Sequence, residues 1–135
     1  SWGVAEAPTL LRRGDLVYLF VSGGTWDSAF YHIYWVAAPT VEALSWENPD
    51  RLAGRFLVPS DDQSFGHGSV VLGPDAEQLY MVHHRLRHGA CVTGDCARDV
   101  WLTPLDFEDR GDGRGEVWVV PRWPAEGTEV AVAMP

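Results

Sequence analysis

The chain repeats itself. Residues 7–22, APTLLRRGDLVYLFVS, line up with residues 67–84, HGSVVLGPDAEQLYMVHH. Each copy runs from a small residue through an apolar pair and a Gly/Asp turn into an apolar–Tyr–apolar strand with a polar close. A second correspondence follows, YHIYWVAAP at 31–39 with ARDVWLTPL at 97–105. Glu6 and His67 stand 61 residues apart, Tyr18 and Tyr80 62, and Trp35 and Trp101 66. A unit of about 60 residues in a chain of 135 leaves room for two copies.

Helical periodicity is nearly absent. The one candidate helical turn, 41–44, is hemmed in by Pro39 and Trp46. The rest reads as short strands punctuated by Gly, Pro, Asp and Asn, expected at 8–11, 16–22, 31–37, 56–58, 69–72, 78–83, 100–105, 116–120 and 129–133. Four strands per repeat in an antiparallel meander is the blade of a β-propeller. The expected fold is therefore all-β, with blade one over 1–62 and blade two over 63–135. A propeller closes with about four blades or more, so two blades are part of a ring. Their two outer faces are apolar by pattern and call for further blades or self-association.

Charge narrows the function. Ten Lys+Arg against nineteen Asp+Glu give a net charge of −9, which argues against nucleic-acid partners. All the basic residues are Arg, so a Lys Schiff base, a P-loop Lys and a Lys general base are excluded. No apolar run approaches the ~20 residues that span a bilayer, so no membrane partner is expected. Seven Trp and fourteen Gly suit tight β-turns, and Trp faces also serve as platforms for sugars. Cys91 and Cys96 sit in CVTGDC. An oxidised pair there would pin a short loop in a secreted or extracytoplasmic protein, with two free thiols the alternative.

In a propeller the first strand of each blade lines the central channel, and Glu6 and His67 each start such a strand. A carboxylic acid and an imidazole converging on one channel form a candidate site. The segments around them resemble glycoside hydrolase family 43. VAEAPTLLRRGDLVYLFVS is similar to the family's E-[GA]-P segment and the strand after it. SFGHGSVVLGPDAEQLYMVHHR is similar to its "GPGHNSVV" segment, and ARDVWLTPLDFEDRGDG to a later Arg-bearing stretch. The three stand in the family's order and cover nearly the whole chain. The resemblance implies the last two blades of a five-bladed glycosidase that cleaves arabinose- and xylose-containing glycans, usually with inversion.

By that resemblance Glu6 matches the general acid, with Val4, Ala7 and Pro8 as apolar neighbours able to raise its pKa. His67, between Gly66 and Gly68, matches a channel histidine that orients water or helps hold calcium through water; calcium itself prefers oxygen. Arg98 matches an arginine that reaches the substrate pocket. Trp26 lies where an aromatic stacks on sugar, with Phe30 as its competitor. The family's general base and a second aspartate that orients the acid have no match here, since Asp15, Asp27, Asp61, Asp62 and Asp75 are in turn-like contexts. Ser1, five residues before Glu6 and not preceded by Met, reads as a cut within a longer enzyme. The alternative is a glycan-binding fragment without catalysis, or one completed by a partner.

Other motifs carry less. His83, His84 and His88 look like metal ligands, yet neighbouring strand residues face opposite ways, so His83 and His84 cannot share an ion. Ser22 and Ser69 lack the nucleophile elbow of a serine hydrolase. RGD at 13–15 and GDGRGE at 111–116 read as hairpin turns.

Overall fold

The structure, a computed structural model, describes residues 4–56, 64–87, 91 and 94–122. They form eight strands: β1 (Val4–Arg13), β2 (Leu16–Gly24), β3 (His32–Ala38), β4 (Leu52–Arg55), β5 (Phe65–Leu72), β6 (Leu79–Leu86), β7 (Arg98–Asp109) and β8 (Glu116–Pro121). These build two antiparallel four-stranded sheets, each in sequential order, β1 to β4 and β5 to β8. The architecture is all-β, and among the described residues no helix is long and apolar enough to cross a membrane.

Two local features differ from expectation. Strand β4, where Ala37 pairs with Leu52 and Tyr34 with Arg55, was not expected; of the strand expected at 56–58 only Phe56 is described. LAGR lacks an alternating pattern, and its Gly54 is there for space: a Cβ would stand 2.8 Å from the Trp35 indole. Residues 41–44 form turns held by the N–H of Ala43 on the Thr40 carbonyl and of Leu44 on that of Val41, not a helix. The strand expected at 129–133, together with Asp61, Asp62 and His88, lies outside the described residues.

The ladders bear out the alignment of 7–22 with 67–84, Tyr18 answering to Tyr80, while the pairing of Glu6 with His67 is one residue off. The ladder shifts between Glu6 and Thr9 in the first sheet and between Gly66 and Ser69 in the second. Each shift is a bulge with a left-handed residue, Ala7 at φ 52° and His67 at φ 55°. The structural counterparts are therefore Ala7 with His67 and Glu6 with Gly66. Downstream, Phe20 pairs with Trp35 while its counterpart Val82 pairs with Leu102, so Trp101 answers to Tyr34 rather than Trp35. The bulges stand at the same place in both sheets and keep the copies in phase; the slip at Trp101 comes later, in the longer connection between β6 and β7.

The core lies between the sheets. Tyr18, Phe20, Ile33 and Trp35 from the first meet Met81, Leu105 and Val119 from the second. Tyr18 donates to the Val117 carbonyl at 2.9 Å and meets Phe107 edge-on at 5.2 Å. By the repeat, the Tyr80–Val82–Leu102 face of the second sheet corresponds to this packed face of the first. It is only half buried, and beside it Val71 and Val100 are exposed.

His83 belongs to this core. It is 2 % exposed, bonded through Nε2 to Thr103 Oγ1 at 2.9 Å and set against Phe65 and Phe56. Burial, above all, pulls its pKa down from 6.5 to about 4, so it stays neutral at pH 7. The unfolded chain takes up a proton near pH 6.5 that the folded one refuses until about 4. This contribution to stability is thus complete above pH 6.5 and lost as the pH falls towards 4, to an extent on the order of 3 kcal/mol. Urea unfolding at pH 7.0, 5.5 and 4.5 measures it. The slope should flatten in His83→Gln, leaving a smaller part from His84, which burial also depresses; an unchanged slope would clear His83 of the effect.

Candidate active site

The two bulges bring the candidate residues together. Glu6 closes the regular part of β1 before its bulge, and His67 is the bulged residue of β5. Strands β1 and β5 lie against each other, so Glu6 Oε1 comes within 3.7 Å of His67 Nδ1. The side chains of Glu6 and His67 remain 40 % and 60 % exposed. The bulge also frees the His67 backbone N–H from the ladder, and it donates to Ser22 Oγ at 2.8 Å.

Two residues not expected at the site complete it. Tyr31, just before β3 and fully buried, donates its hydroxyl hydrogen to Glu6 Oε1 at 2.5 Å. Burial first, then the Glu6 bond and charge, raise the Tyr31 pKa far above its ordinary value, so the phenol remains a donor. His84 lies between the Tyr31 and His67 rings, with centroids 5.8 and 6.2 Å away and planes nearly parallel. Burial, then the charges of Arg98 and His67, lower the His84 pKa, while Glu6 opposes them. The alternation that turns His83 into the core turns His84 to the opposite face. That signal was in the sequence; Tyr31 was legible only as a strand residue.

Arg98 and Trp26 form the second part. The Arg98 guanidinium lies 5.4 Å from the Trp26 ring centre and donates to the Cys96 carbonyl at 3.2 Å. Cys91 and Cys96 are joined by a disulfide, and the Cys91 N–H donates to the Asp27 carbonyl at 3.0 Å. The disulfide loop thus touches the Trp26 loop directly through Cys91 and reaches Trp26 through Arg98 at the Cys96 end. Trp26 is 46 % exposed and Phe30 76 %, so both offer a face to a ligand. We expect Cys91→Ser with Cys96→Ser to raise KM about threefold to tenfold, as an exposed cation–π pair and one hydrogen bond would give, and to leave kcat near wild type. An unchanged KM would remove the loop from substrate binding.

Of the aspartates named above, those that are described, Asp15, Asp27 and Asp75, lie in turns. Asp75 accepts from the N–H groups of Glu77 and Gln78, and the Asp27 carbonyl serves Cys91. The RGD triplet is the β1–β2 hairpin, with Gly14 at φ 58°. A cavity of about 630 Å³ opens at that other end of the sheets, between Leu16, Ala38, Leu52 and Val117, and none of Glu6, His67 or Arg98 lines it. Calcium does not fit the residues at hand. Two imidazoles and a carboxylate held by Tyr31 are not the oxygen-rich shell calcium takes. Among the described residues no three of His, Cys, Asp and Glu form a metal-binding group.

The model for glycosyl hydrolases family 43 matches residues 1–112. The chain belongs to family 43. No curated protein sequence matches it. Among solved structures it is similar to an α-L-arabinanase of Cellvibrio cellulosa in complex with arabinohexaose, at 22 % identity and TM-score 0.60, over 87 % of this chain and 36 % of that one. It is also similar to an α-L-arabinofuranosidase from Lactobacillus brevis, at 20 % identity and TM-score 0.63, over 90 % and 37 %. An endo-1,4-β-xylanase from Bacteroides thetaiotaomicron follows, at 15 % identity and TM-score 0.58, over 90 % and 38 %. At these identities the likeness establishes the fold, a partial β-propeller, and the chain spans little more than a third of the structures it matches. A family-43 chain of this length is a fragment of the propeller, and the exposed apolar face of its second sheet fits that.

Proposed function

We propose that this family-43 chain supplies the acid half of an active site that hydrolyses α-L-arabinofuranosyl or β-D-xylosyl linkages by single displacement. The observation that carries the reading is the half-exposed Glu6 carboxyl, set by two bulged strand starts against Tyr31 and His67. Glu6 protonates the leaving oxygen while a water, activated by an aspartate outside this chain, attacks the anomeric carbon. Inversion requires the two carboxyl groups about 6.5–9.5 Å apart. His67 and Arg98 position the sugar, and Trp26 stacks on it. Further blades of the same ring, or a second copy, cover the Tyr80–Leu102 face. The disulfide suits an extracytoplasmic setting. An axial calcium bound through water at His67 would need oxygen donors from elsewhere, and the hydrolytic route does not run through it.

One observation favours a second reading, a glycan-binding fragment without turnover: among the described residues, the side chains in contact with Glu6 are Tyr31 and His67, with no second carboxylate. Incubation of the complete gene product with α-1,5-linked arabino-oligosaccharides and β-1,4-linked xylo-oligosaccharides, followed by proton NMR of the fresh products, separates the two. Hydrolysis with the inverted anomer appearing first is expected. The retained anomer would overturn single displacement, and binding without hydrolysis would favour the second reading.

A further inference from the structure

We infer that a one-directional hydrogen-bond chain, from the bulge amide of His67 through Ser22 and Tyr31 to Glu6, dictates which oxygen of the Glu6 carboxyl carries the proton: Oε1 is held as an acceptor, and Oε2 delivers. This rests on the reading of Glu6 as the general acid. The chain begins at a group that can only donate. The His67 backbone N–H gives its hydrogen to Ser22 Oγ at 2.8 Å, and the Gly68 N–H approaches the same oxygen at 3.4 Å. Ser22 is 1 % exposed, and with its oxygen accepting, its hydroxyl hydrogen is directed onward to the Tyr31 hydroxyl, which it also meets. Tyr31, accepting on its oxygen from Ser22 and also from the His67 N–H, turns its own hydrogen to Glu6 Oε1 at 2.5 Å. A hydroxyl has one hydrogen to give, so each link leaves the next a single orientation.

The Tyr31 ring cannot turn away from this task. Its carbonyl accepts from the Phe65 N–H at 2.9 Å, one ring face lies against His84, and the ring occupies the space a Gly66 side chain would need. The groups facing Glu6 Oε1 are thus the Tyr31 hydroxyl and, at 3.7 Å, His67 Nδ1. Both act on the same oxygen. A proton on Oε1 would oppose the Tyr31 hydrogen, so the acid proton sits on Oε2. During the reaction that proton passes from Oε2 to the glycosidic oxygen. The anomeric carbon–oxygen bond breaks with its electron pair going to that oxygen, and the carboxylate left behind keeps the Tyr31 bond, now charge-assisted and stronger. Tyr31 and Ser22 are positioning residues: they touch the acid, not the sugar.

Leaving-group dependence tests this in the complete gene product, because only help with protonation depends on how much help the leaving group needs. Tyr31→Phe keeps the ring and removes the hydroxyl. We expect kcat on a methyl glycoside or a natural disaccharide to fall about 10- to 100-fold, kcat on the 2,4-dinitrophenyl glycoside of the same sugar to fall less than about threefold, and KM to change little. Ser22→Ala should show the same pattern more weakly. In Glu6→Gln, adding Tyr31→Phe should cost nothing more, since a positioning residue has then no acid to position. An equal loss on all leaving groups in Tyr31→Phe, or a further loss in the double variant, would overturn the chain while leaving Glu6 as the acid. If Glu6→Gln itself loses equally on all leaving groups, the acid reading falls and this inference with it.

Discussion

Glu6→Gln is expected to lower kcat on glycosides with poor leaving groups by about 10²- to 10⁴-fold, the usual worth of a general acid, and on activated aryl glycosides by less than about tenfold. The contrast follows from what the substitution keeps. A glutamine carbonyl oxygen accepts the Tyr31 hydrogen as Oε1 does, and the side chain keeps its length. The site should therefore retain its geometry while losing the one proton it can release. Circular dichroism and the thermal midpoint should match wild type. Steady-state kinetics on a methyl glycoside and a 2,4-dinitrophenyl glycoside of the same sugar, in the complete gene product, measure the contrast. A uniform loss would assign Glu6 to binding or to structure.

Gly66→Ala is expected to be among the most damaging single methyls at the described residues. The added Cβ would stand 1.6 Å from Tyr31 Cε1 and 2.2 Å from Cδ1, well inside any real contact. The φ of Gly66 is not left-handed, so the obstacle is space, not backbone conformation. The ring has nowhere to go: Tyr31 is fully buried, stacked on His84 and tied through its carbonyl to Phe65. Overpacking of a closed core costs about 1–3 kcal/mol and occasionally more, and displacing Tyr31 would also break its bond to Glu6. We expect a loss of at least about 3 kcal/mol in urea unfolding, with activity lost as well. Gly111→Ala is the control: nothing lies within 4 Å of its Cβ position, although its φ of 72° is left-handed, so only about 1 kcal/mol should be lost. If Gly66→Ala unfolds within about 0.5 kcal/mol of wild type, the ring is not confined as described.

The strands were legible because their signals are local. Alternation in LVYLFV and LYMV, and turns at Gly14–Asp15 and Gly73–Asp75, needed no partner to be read. Strand β4 escaped because LAGR alternates nothing; it is a strand only because β3 pairs with it. The repeat was visible, and in phase from Ala7 to Tyr18, yet its bulges were not. A bulge is a property of two paired strands, and the residue it adds looks like any other in one strand read alone. Glu6, His67, Arg98 and Trp26 were reached through motifs, and the structure brings them together as two pairs. Tyr31 and His84 were missed because their roles depend on the neighbours that folding gives them.

The sequence by itself determined a twice-repeated antiparallel sheet, a family-43 pattern, and a carboxyl near the start of the first strand of a repeat, since each of these is written in adjacent residues or in their spacing. Only the tertiary structure decided that the paired bulges aim Glu6 and His67 at one another, and that a phenol 25 residues away in sequence holds one oxygen of the acid. Hydrogen bonds and close packing act between groups within a few ångströms, and separation along the chain does not report which groups those are.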